Sequence, residues 1–315
     1  MCGIAGFVND MPIDVKCPVL QRMTDMIAHR GPDSEGHYID EHAALGHRRL
    51  SIIDLGGGQQ PIYNEDGSKV ITFNGEIYNY QTLREELIAA GHTFTTKSDT
   101  EVLLHGYEQW GVDLLQRVRG MFTFVIWDKN KQELFGARDH FGIKPFYYAK
   151  MNGTFMYASE IKSLLRHPDF VKELNAEALK PYMTFQYPAI GETFFKGVYK
   201  LPEGHYFTYR DGKMDIHRYY DEDSREGKQK LGELVNSIDQ TVCDSVKAHQ
   251  IADVEVGSFL SSGVDSSYVA AVARPQHTYS IGFGKGTYNE SQQAGELAEL
   301  LKLNNTAESL TDEEA

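Results

Sequence analysis

The residue with the greatest capacity for covalent chemistry is Cys2, directly behind the initiator methionine. Methionine before a small side chain is usually trimmed, which would leave Cys2 as the first residue. A terminal cysteine brings its own base. The α-amine has a pKa of ~7.7–8.0, is partly neutral at pH 7 and reaches the thiol directly or through water. A thiolate of this kind attacking a carboxamide forms a thioester and releases ammonia, with no histidine required. Taken alone, Cys2 reads first as a small apolar residue opening a buried strand. A second chemical stretch is Phe259-Leu260-Ser261-Ser262-Gly263-Val264-Asp265-Ser266-Ser267, between a predicted strand and a predicted helix. Backbone amides and the positive helix end at such a junction suit a pyrophosphate. It is not a Walker A loop, whose glycine and lysine spacing is absent. Its bland alternative is a helix capped by Ser or Asp.

The elements that must carry these residues follow from pattern. Ile4 to Val8 reads as a strand holding the N-terminus inside its domain. Val19 to Ala28 has Leu20, Met23 and Ile27 at helical spacing and stops at Gly31-Pro32. Lys69 to Phe73 reads as a strand. Asn79 is expected to cap a helix striped by Leu83, Leu87 and Ile88 and ended by Gly91. Ser98-Asp99-Thr100-Glu101 reads as a capping box. Met121 to Trp127 and Glu133 to Arg138 form a predicted hairpin across Asp128-Lys129-Asn130-Lys131, and further strands run to about Tyr220. The polar stretch 221–230 reads as a linker between a domain at 1–220 and another at 231–315. In the latter, a helix through Leu231, Leu234, Val235, Ile238 and Val242 precedes strands at Val256 to Leu260 and His277 to Gly282. A helix near Ser291 to Leu301 and a strand near Asn305 to Leu310 follow. That β-α-β-α run is the start of a parallel, doubly wound sheet. Gly282-Phe283-Gly284-Lys285-Gly286 lacks dinucleotide-loop spacing and is read as a connection.

Composition narrows the class. The chain has 315 residues, enough for two ordinary domains, and 41% hydrophobic with 24% charged residues is globular usage. A net charge of -14 argues against a nucleic-acid coat or a polybasic membrane anchor. Three cysteines, Cys2, Cys17 and Cys243, provide no disulfide framework, so a reducing cytoplasm is expected. The N-terminus has no signal-peptide pattern, and no window is apolar for long enough to span a bilayer.

Five tags decide between the two readings of Cys2. Met1-Cys2-Gly3-Ile4-Ala5-Gly6, His29-Arg30-Gly31-Pro32-Asp33, His47-Arg48-Arg49-Leu50-Ser51-Ile52, Asn74-Gly75-Glu76-Ile77-Tyr78-Asn79 and Ser98-Asp99-Thr100-Glu101 occur in this order. The matching blocks continue through Arg138-Asp139-His140-Phe141-Gly142-Ile143-Lys144-Pro145 and Ala158-Ser159-Glu160-Ile161-Lys162. Together they resemble the class II glutamine amidotransferases. That resemblance implies an α+β N-terminal-nucleophile domain of four αββα layers, with Cys2 as nucleophile. It further implies that the Asn74 side chain and the Gly75 amide are oxyanion donors. Arg49 would fork onto the glutamine carboxylate, Asp99 would pair with its ammonium, and Glu76 would help to bind glutamine.

The second stretch resembles the phosphate loop of the ATP pyrophosphatases, which cleave ATP to AMP and pyrophosphate. By that resemblance Ser261, Gly263, Ser266 and Ser267 would hold the pyrophosphate of ATP. Asp265 would help to place its Mg2+, and Leu260 and Ile281 would pack around the nucleoside. Ser262 departs from the family's glycine pair. An ordinary backbone conformation is expected there, with its hydroxyl added to the anion site. Only the asparagine synthetase group joins such a loop to a glutaminase. The implied reaction activates aspartate with ATP as a β-aspartyl-adenylate, which ammonia from glutamine, carried through the interior, converts to asparagine. The implied partners are thus glutamine, aspartate and ATP, with no nucleic acid or membrane, and homodimerisation is left open. The chain is expected to stop partway through an incomplete α/β domain and to retain only the glutaminase. The alternatives are a stand-alone regulatory or ammonia-supplying module and another amide-forming synthetase of the same architecture.

Overall fold

A short run of small and apolar residues after Cys2, buried on both faces, forms β1 (Gly3–Val8), and the described residues then build two sheets of six strands. The computed structural model describes residues 1–187, 191–222, 227, 230–283 and 290–310. In chain order the next elements are α1 (Ile13–Asp25), β2 (Ser34–Ile39), β3 (Ala43–Arg49), β4 (Ile62–Tyr63), β5 (Lys69–Ile77), α2 (Tyr80–Ala89) and α3 (Asp99–Trp110). They are followed by β6 (Gly120–Asp128), β7 (Glu133–Arg138), β8 (Tyr147–Met151), β9 (Thr154–Ala158), α4 (Ile161–Leu164) and α5 (Leu179–Phe185). Strands β10 (Val198–Lys200), β11 (His205–Arg210) and β12 (Lys213–Arg218) follow.

One sheet has the order β10-β8-β9-β1-β3-β2 and the other β12-β11-β7-β6-β5-β4, every neighbouring pair antiparallel. The sheets pack face to face through Ile4, Leu45, Phe155 and Tyr157 on one side and Val70, Trp127, Phe207 and Tyr209 on the other. Helices α1 and α4 cover the outer face of the first sheet, burying Val19, Leu20, Met23 and Leu164 against Phe7 and Met156. Helix α3 packs on β5 of the second sheet, with α2 alongside α3. The result is the αββα layering expected from the resemblance.

Several boundaries differ from the sequence expectation for physical reasons. Helix α1 begins at Ile13, six residues ahead of Val19, and runs through Pro18 to Asp25. The fully buried Lys16 occupies what reads as a polar position, its Nζ donating to the carbonyls of Asp40 at 3.1 Å and Glu41 at 2.7 Å. Ile27 belongs to the turn before a short 3-10 segment, Ala28–Arg30. Strand β5 continues past Phe73 to Ile77, so Asn74 and Gly75 lie within a strand paired with Thr123 and Phe122. Asn79 does precede α2, but its side chain makes no cap. It accepts from Arg119 N and donates to Arg117 O. Ile88 is exposed. At α3 Ser98 caps as expected by accepting from Thr100 N, whereas Glu101 turns away from the box to bind the amides and hydroxyls of Thr95 and Thr96.

The chain forms two compact units, Met1–Asp223 and Ser224–Ala315. The second unit contains α6 (Leu231–Ala248), β13 (Ser258–Phe259), α7 (Val264–Ala273), β14 (His277–Phe283), α8 (Ser291–Leu301) and β15 (Asn304–Leu310). Its three strands are parallel in the order β13-β14-β15, an α/β arrangement. Strand β13 is shorter than the expected Val256 to Leu260, since its ladder with β14 covers Ser258 and Phe259, although Leu260 N still reaches Tyr279 O at 2.8 Å. Much of the proposed linker, 223–226 and 228–229, lies outside the described residues, as does the Gly284-Lys285-Gly286 part of the second glycine stretch.

Candidate active site

Strand β1 delivers Cys2 to the rim of a cavity of about 290 Å³ in the first unit. Its sulfur lies against the chain leaving β3: Leu50 N donates to Sγ at 3.4 Å, and the thiol reaches Leu50 O at 3.5 Å. Arg30 Nε donates to Cys2 O at 2.9 Å, and Arg30 Nη1 is held by Glu160 Oε1 at 3.1 Å. The same carboxylate takes His29 at 2.9 Å and Lys162 at 2.9 Å. Ser159 fixes Ile4, two residues beyond Cys2, its hydroxyl accepting from Ile4 N at 3.0 Å and its own amide donating to Ile4 O. Two separated sequence blocks, His29 to Asp33 and Ala158 to Lys162, thus form one clamp on the first residues of β1. Gly31 is required there, because a Cβ would lie 2.3 Å from the Arg48 carbonyl.

The same cavity is lined by Arg49, Asn74, Gly75, Glu76 and Asp99, so all six predicted residues of the glutamine site come together. Asn74 is 1% exposed, and its Nδ2 has no hydrogen-bond partner among the described residues. A buried amide donor left in this state costs stability, which is the arrangement of a donor kept for a ligand oxygen. Gly75 lies so close to β6 that a Cβ would sit 2.1 Å from Met121 O. Arg49 is buried and oriented by carbonyls, its Nη2 donating to Ile53 at 3.0 Å and Asp54 at 2.7 Å.

Charge in the cavity is shaped by dehydration. Burial pushes the Asp99 carboxyl up to about 7, and the Glu76 charge adds to this. The Ile77 amide, donating at 3.0 Å, and Ser98 oppose the shift. Burial also raises the Cys2 thiol, against the Leu50 hydrogen bond and the neighbouring terminal amine. That amine, on Met1, is itself lowered by burial.

Sequence reasoning assigned no role to Lys144 or Gln60, which also line the cavity. Burial lowers the Lys144 ammonium while Glu76 opposes the shift. Its position comes from the Arg138 to Pro145 block: Asp139 accepts the amides of Phe141, Ile143 and Lys144. Arg138 donates to the carbonyls of Gly142, Lys144 and Leu201. Gln60 bridges β5 and α3, accepting from Phe73 N at 2.6 Å and donating to Thr100 Oγ1 at 3.2 Å. The signal for Lys144 is its place in the Arg138 to Pro145 block; Gln60 has none.

A glutamine amidotransferase domain model matches residues 1–220. The chain belongs to the glutamine amidotransferase family. An asparagine synthase model matches residues 237–315. The whole chain is 43% identical to glutamine-hydrolyzing asparagine synthetase 1 of Bacillus subtilis, covering 51% of that protein. It is 36% identical to asparagine synthetase 3 of the same organism, over 90% of this chain and 48% of that protein. The chain therefore spans about half the length of the curated relatives it matches. Among solved structures, glutamine phosphoribosylpyrophosphate amidotransferase from B. subtilis, complexed with ADP and GMP, matches with a TM-score of 0.53 at 16% identity. That match covers 97% of this chain and 65% of that one. At this identity it establishes a shared fold, the N-terminal-nucleophile amidotransferase architecture.

The predicted phosphate loop occupies the turn from β13 into α7, and Gly263 is the residue ahead of the helix, with φ -71° and ψ 150°. Ser261 Oγ accepts from Gly263 N at 3.2 Å and meets Ser266 Oγ at 2.8 Å. Ser267 Oγ donates to Gly263 O at 2.7 Å. Ser261, Ser262, Gly263 and Asp265 are exposed, with Asp265 in the first turn of α7. Ser262 is not among the residues with positive φ, so it has the ordinary conformation expected of it. Leu260 and Ile281 part company: Leu260 is buried against Ala270, Ala294 and Ala298, while Ile281 is 49% exposed.

Proposed function

We propose that residues 1–220 hydrolyse glutamine to glutamate and ammonia through a thioester on Cys2. The observation that carries this reading is the Nδ2 of buried Asn74, without a partner among the described residues, in the cavity that Cys2, Arg49 and Asp99 share. Arg49 receives the substrate α-carboxylate, and Asp99, dehydrated without a ligand, receives the α-ammonium. The α-amine freed by loss of Met1 takes the thiol proton as Sγ bonds to the carboxamide carbon. Negative charge then develops on the carboxamide oxygen, where Asn74 Nδ2 and the Gly75 amide donate. Collapse breaks the C–N bond, the amine's proton leaves with the nitrogen as ammonia, and water cleaves the thioester to glutamate.

The exposed serines and the start of α7 support a second assignment, binding of ATP pyrophosphate at Ser261, Ser262, Gly263, Ser266 and Ser267 with its Mg2+ near Asp265. Leu260 would act there as a core support and Ile281 as the apolar surface toward the nucleoside. In a protein of the relatives' full length, these sites would serve amidation of ATP-activated aspartate to asparagine. Glutamine hydrolysis is the activity assigned to the 315-residue chain itself. The free cysteines Cys2, Cys17 and Cys243 suit a reducing cytoplasm. Among the described residues, no helix is long and apolar enough to cross a membrane.

The deciding experiment measures glutamine hydrolysis by the wild type and Cys2→Ala, with mass spectrometry of the N-terminus. The expected result is activity only in the wild type, on chains beginning at Cys2. Equal rates, or full activity with Met1 retained, would overturn the mechanism.

A further inference from the structure

Away from the glutamine cavity, four side chains from three segments converge. Glu65 lies in the turn between β4 and β5, His92 in the loop after α2, and His105 and Glu108 one turn apart on α3. Their donor atoms all lie within 4.8 Å of one another. His92 Nδ1 is 3.5 Å from Glu65 Oε1, His105 Nδ1 is 3.5 Å from Glu65 Oε2, and His105 Nδ1 is 3.2 Å from Glu108 Oε2. Four nitrogen and oxygen ligands at zinc bond lengths, placed on tetrahedral corners, are about 3.3–3.5 Å apart. The three contacts already fall near that spacing.

The outward-facing atoms lie against other protein groups. His105, with a side chain 1% exposed, has Nε2 3.5 Å from Glu101 Oε1, near enough for a charge contact but without a hydrogen bond among the described residues, and Glu101 is fixed by Thr95 and Thr96. His92 Nε2 is 3.2 Å from Gln109 Oε1. Glu108 Oε1 accepts from Asn64 Nδ2 at 2.7 Å and faces Lys69 Nζ at 3.4 Å, and Glu65 Oε1 also accepts from Thr93 N at 3.0 Å. A neutral imidazole has one N–H to give. If each ring gives it to the outer acceptor, both Nδ1 lone pairs point inward at carboxylate oxygens. One divalent cation among the four atoms turns those opposed contacts into bonds. A histidine whose far nitrogen donates to a carboxylate or amide oxygen is the usual outer shell of a bound zinc.

We propose that Glu65, His92, His105 and Glu108 form a Zn2+ site that fastens α3 to the β4–β5 turn and to the loop after α2. Two imidazoles with two carboxylates suit zinc and its first-row neighbours better than Mg2+ or Ca2+, which take all-oxygen shells. The site's role is structural. It fixes the helix whose first residue, Asp99, lines the glutamine cavity, but contributes no group to that cavity.

The test is titration of the EDTA-stripped 315-residue protein with Zn2+, Co2+ and Mg2+, followed by thermal melts and by competition with a chromophoric chelator. One Zn2+ per chain is expected, with a rise in Tm that Mg2+ does not produce and a Co2+ spectrum of tetrahedral form. His92→Ala, at a loop position outside the core, is expected to weaken Zn2+ binding by at least about tenfold, and Gln109→Ala more modestly. His42→Ala, in the turn between β2 and β3 and paired there with Asp10, leaves it unchanged. Circular dichroism verifies that each variant is folded. The competing arrangement is an imidazolium at His105 paired with Glu65, Glu101 and Glu108. It predicts no saturable Zn2+ binding, and that result, or binding unchanged in His92→Ala, overturns the proposal.

Discussion

The carboxylate of Asp99 accepts the backbone amide of Ile77 at 3.0 Å, tying the first turn of α3 to the end of the strand that carries Asn74 and Gly75. That bond aims one oxygen at the protein and leaves the group in a dehydrated cavity, where burial pushes its pKa up to about 7. Recognition of an ammonium needs the ionised form. For the free enzyme, kcat/KM for glutamine is therefore expected to fall roughly tenfold per pH unit below about 7, with kcat less affected. Asp99→Asn should raise KM and remove this limb from the kcat/KM profile. A limb that persists in the variant would assign the titration to another group.

The same shift has a stability consequence of opposite sense. The folded pKa of Asp99 lies above its unfolded value of 3.8, so the fold takes up a proton between the two. The stability this confers is fully present below about pH 3.8 and is lost as pH rises through about 7. At pH 8 Asp99→Asn should gain about 1–2 kcal/mol, a rise of roughly 2–8 °C in melting temperature. A variant less stable than wild type at pH 8 would show that the carboxylate is better solvated than its burial implies.

Asn74 and Gly75 are adjacent in β5 but should fail differently. The Asn74 Nδ2 has no partner to lose among the described residues, so Asn74→Ala should change stability by less than about 1 kcal/mol while kcat falls about 10²–10³-fold. Gly75→Ala places a Cβ 2.1 Å from Met121 O, a backbone atom of the neighbouring strand, and should cost about 1–3 kcal/mol or more. Chemical denaturation alongside steady-state kinetics separates the two.

Much of this site was legible because its residues sit in short runs. Cys2, Arg49, Asn74 and Asp99 each anchor a recognisable tag, and the hairpin of β6 and β7 follows from alternation around a polar turn. What was hidden depends on contacts far apart in the chain. Nothing local indicates that Glu160 meets Arg30, or that Gln60 spans Phe73 and Thr100. Helix α1 was misjudged because Lys16 is buried through an amine bonded to two carbonyls, which a hydrophobic pattern counts as solvent-facing. Glu101 has the capping-box residue type, but the backbone of Thr95 and Thr96 competes for it and wins.

The Glu160–Arg30 link makes a positioning residue of Glu160. Arg30 grips Cys2 O at 2.9 Å, while the substrate contacts proposed for Arg49 and Asp99 come from β3 and α3. Glu160→Gln should therefore lower kcat about 10–100-fold through loss of nucleophile alignment and leave KM nearly unchanged. Global stability should move by under about 1 kcal/mol, since the ion pair is partly exposed. A rise in KM without loss of kcat would assign Glu160 to substrate binding.

Ser262 stands where the resembled phosphate loop has a glycine, and its backbone bears on whether the loop remains competent. A residue that needed φ > 0 would make glycine an improvement of roughly 1–2 kcal/mol. Ser262 has no such conformation, so Ser262→Gly relieves nothing and adds freedom to the unfolded chain. The variant is expected to be less stable by about 0.4–1 kcal/mol. If the serine hydroxyl contributes to the anion site, the variant should also bind ATP more weakly. Equilibrium binding of ATP with Mg2+ and a denaturation curve on the same protein test both statements. Tighter ATP binding by Ser262→Gly would mean that the loop must change conformation to hold phosphate and that serine obstructs the change.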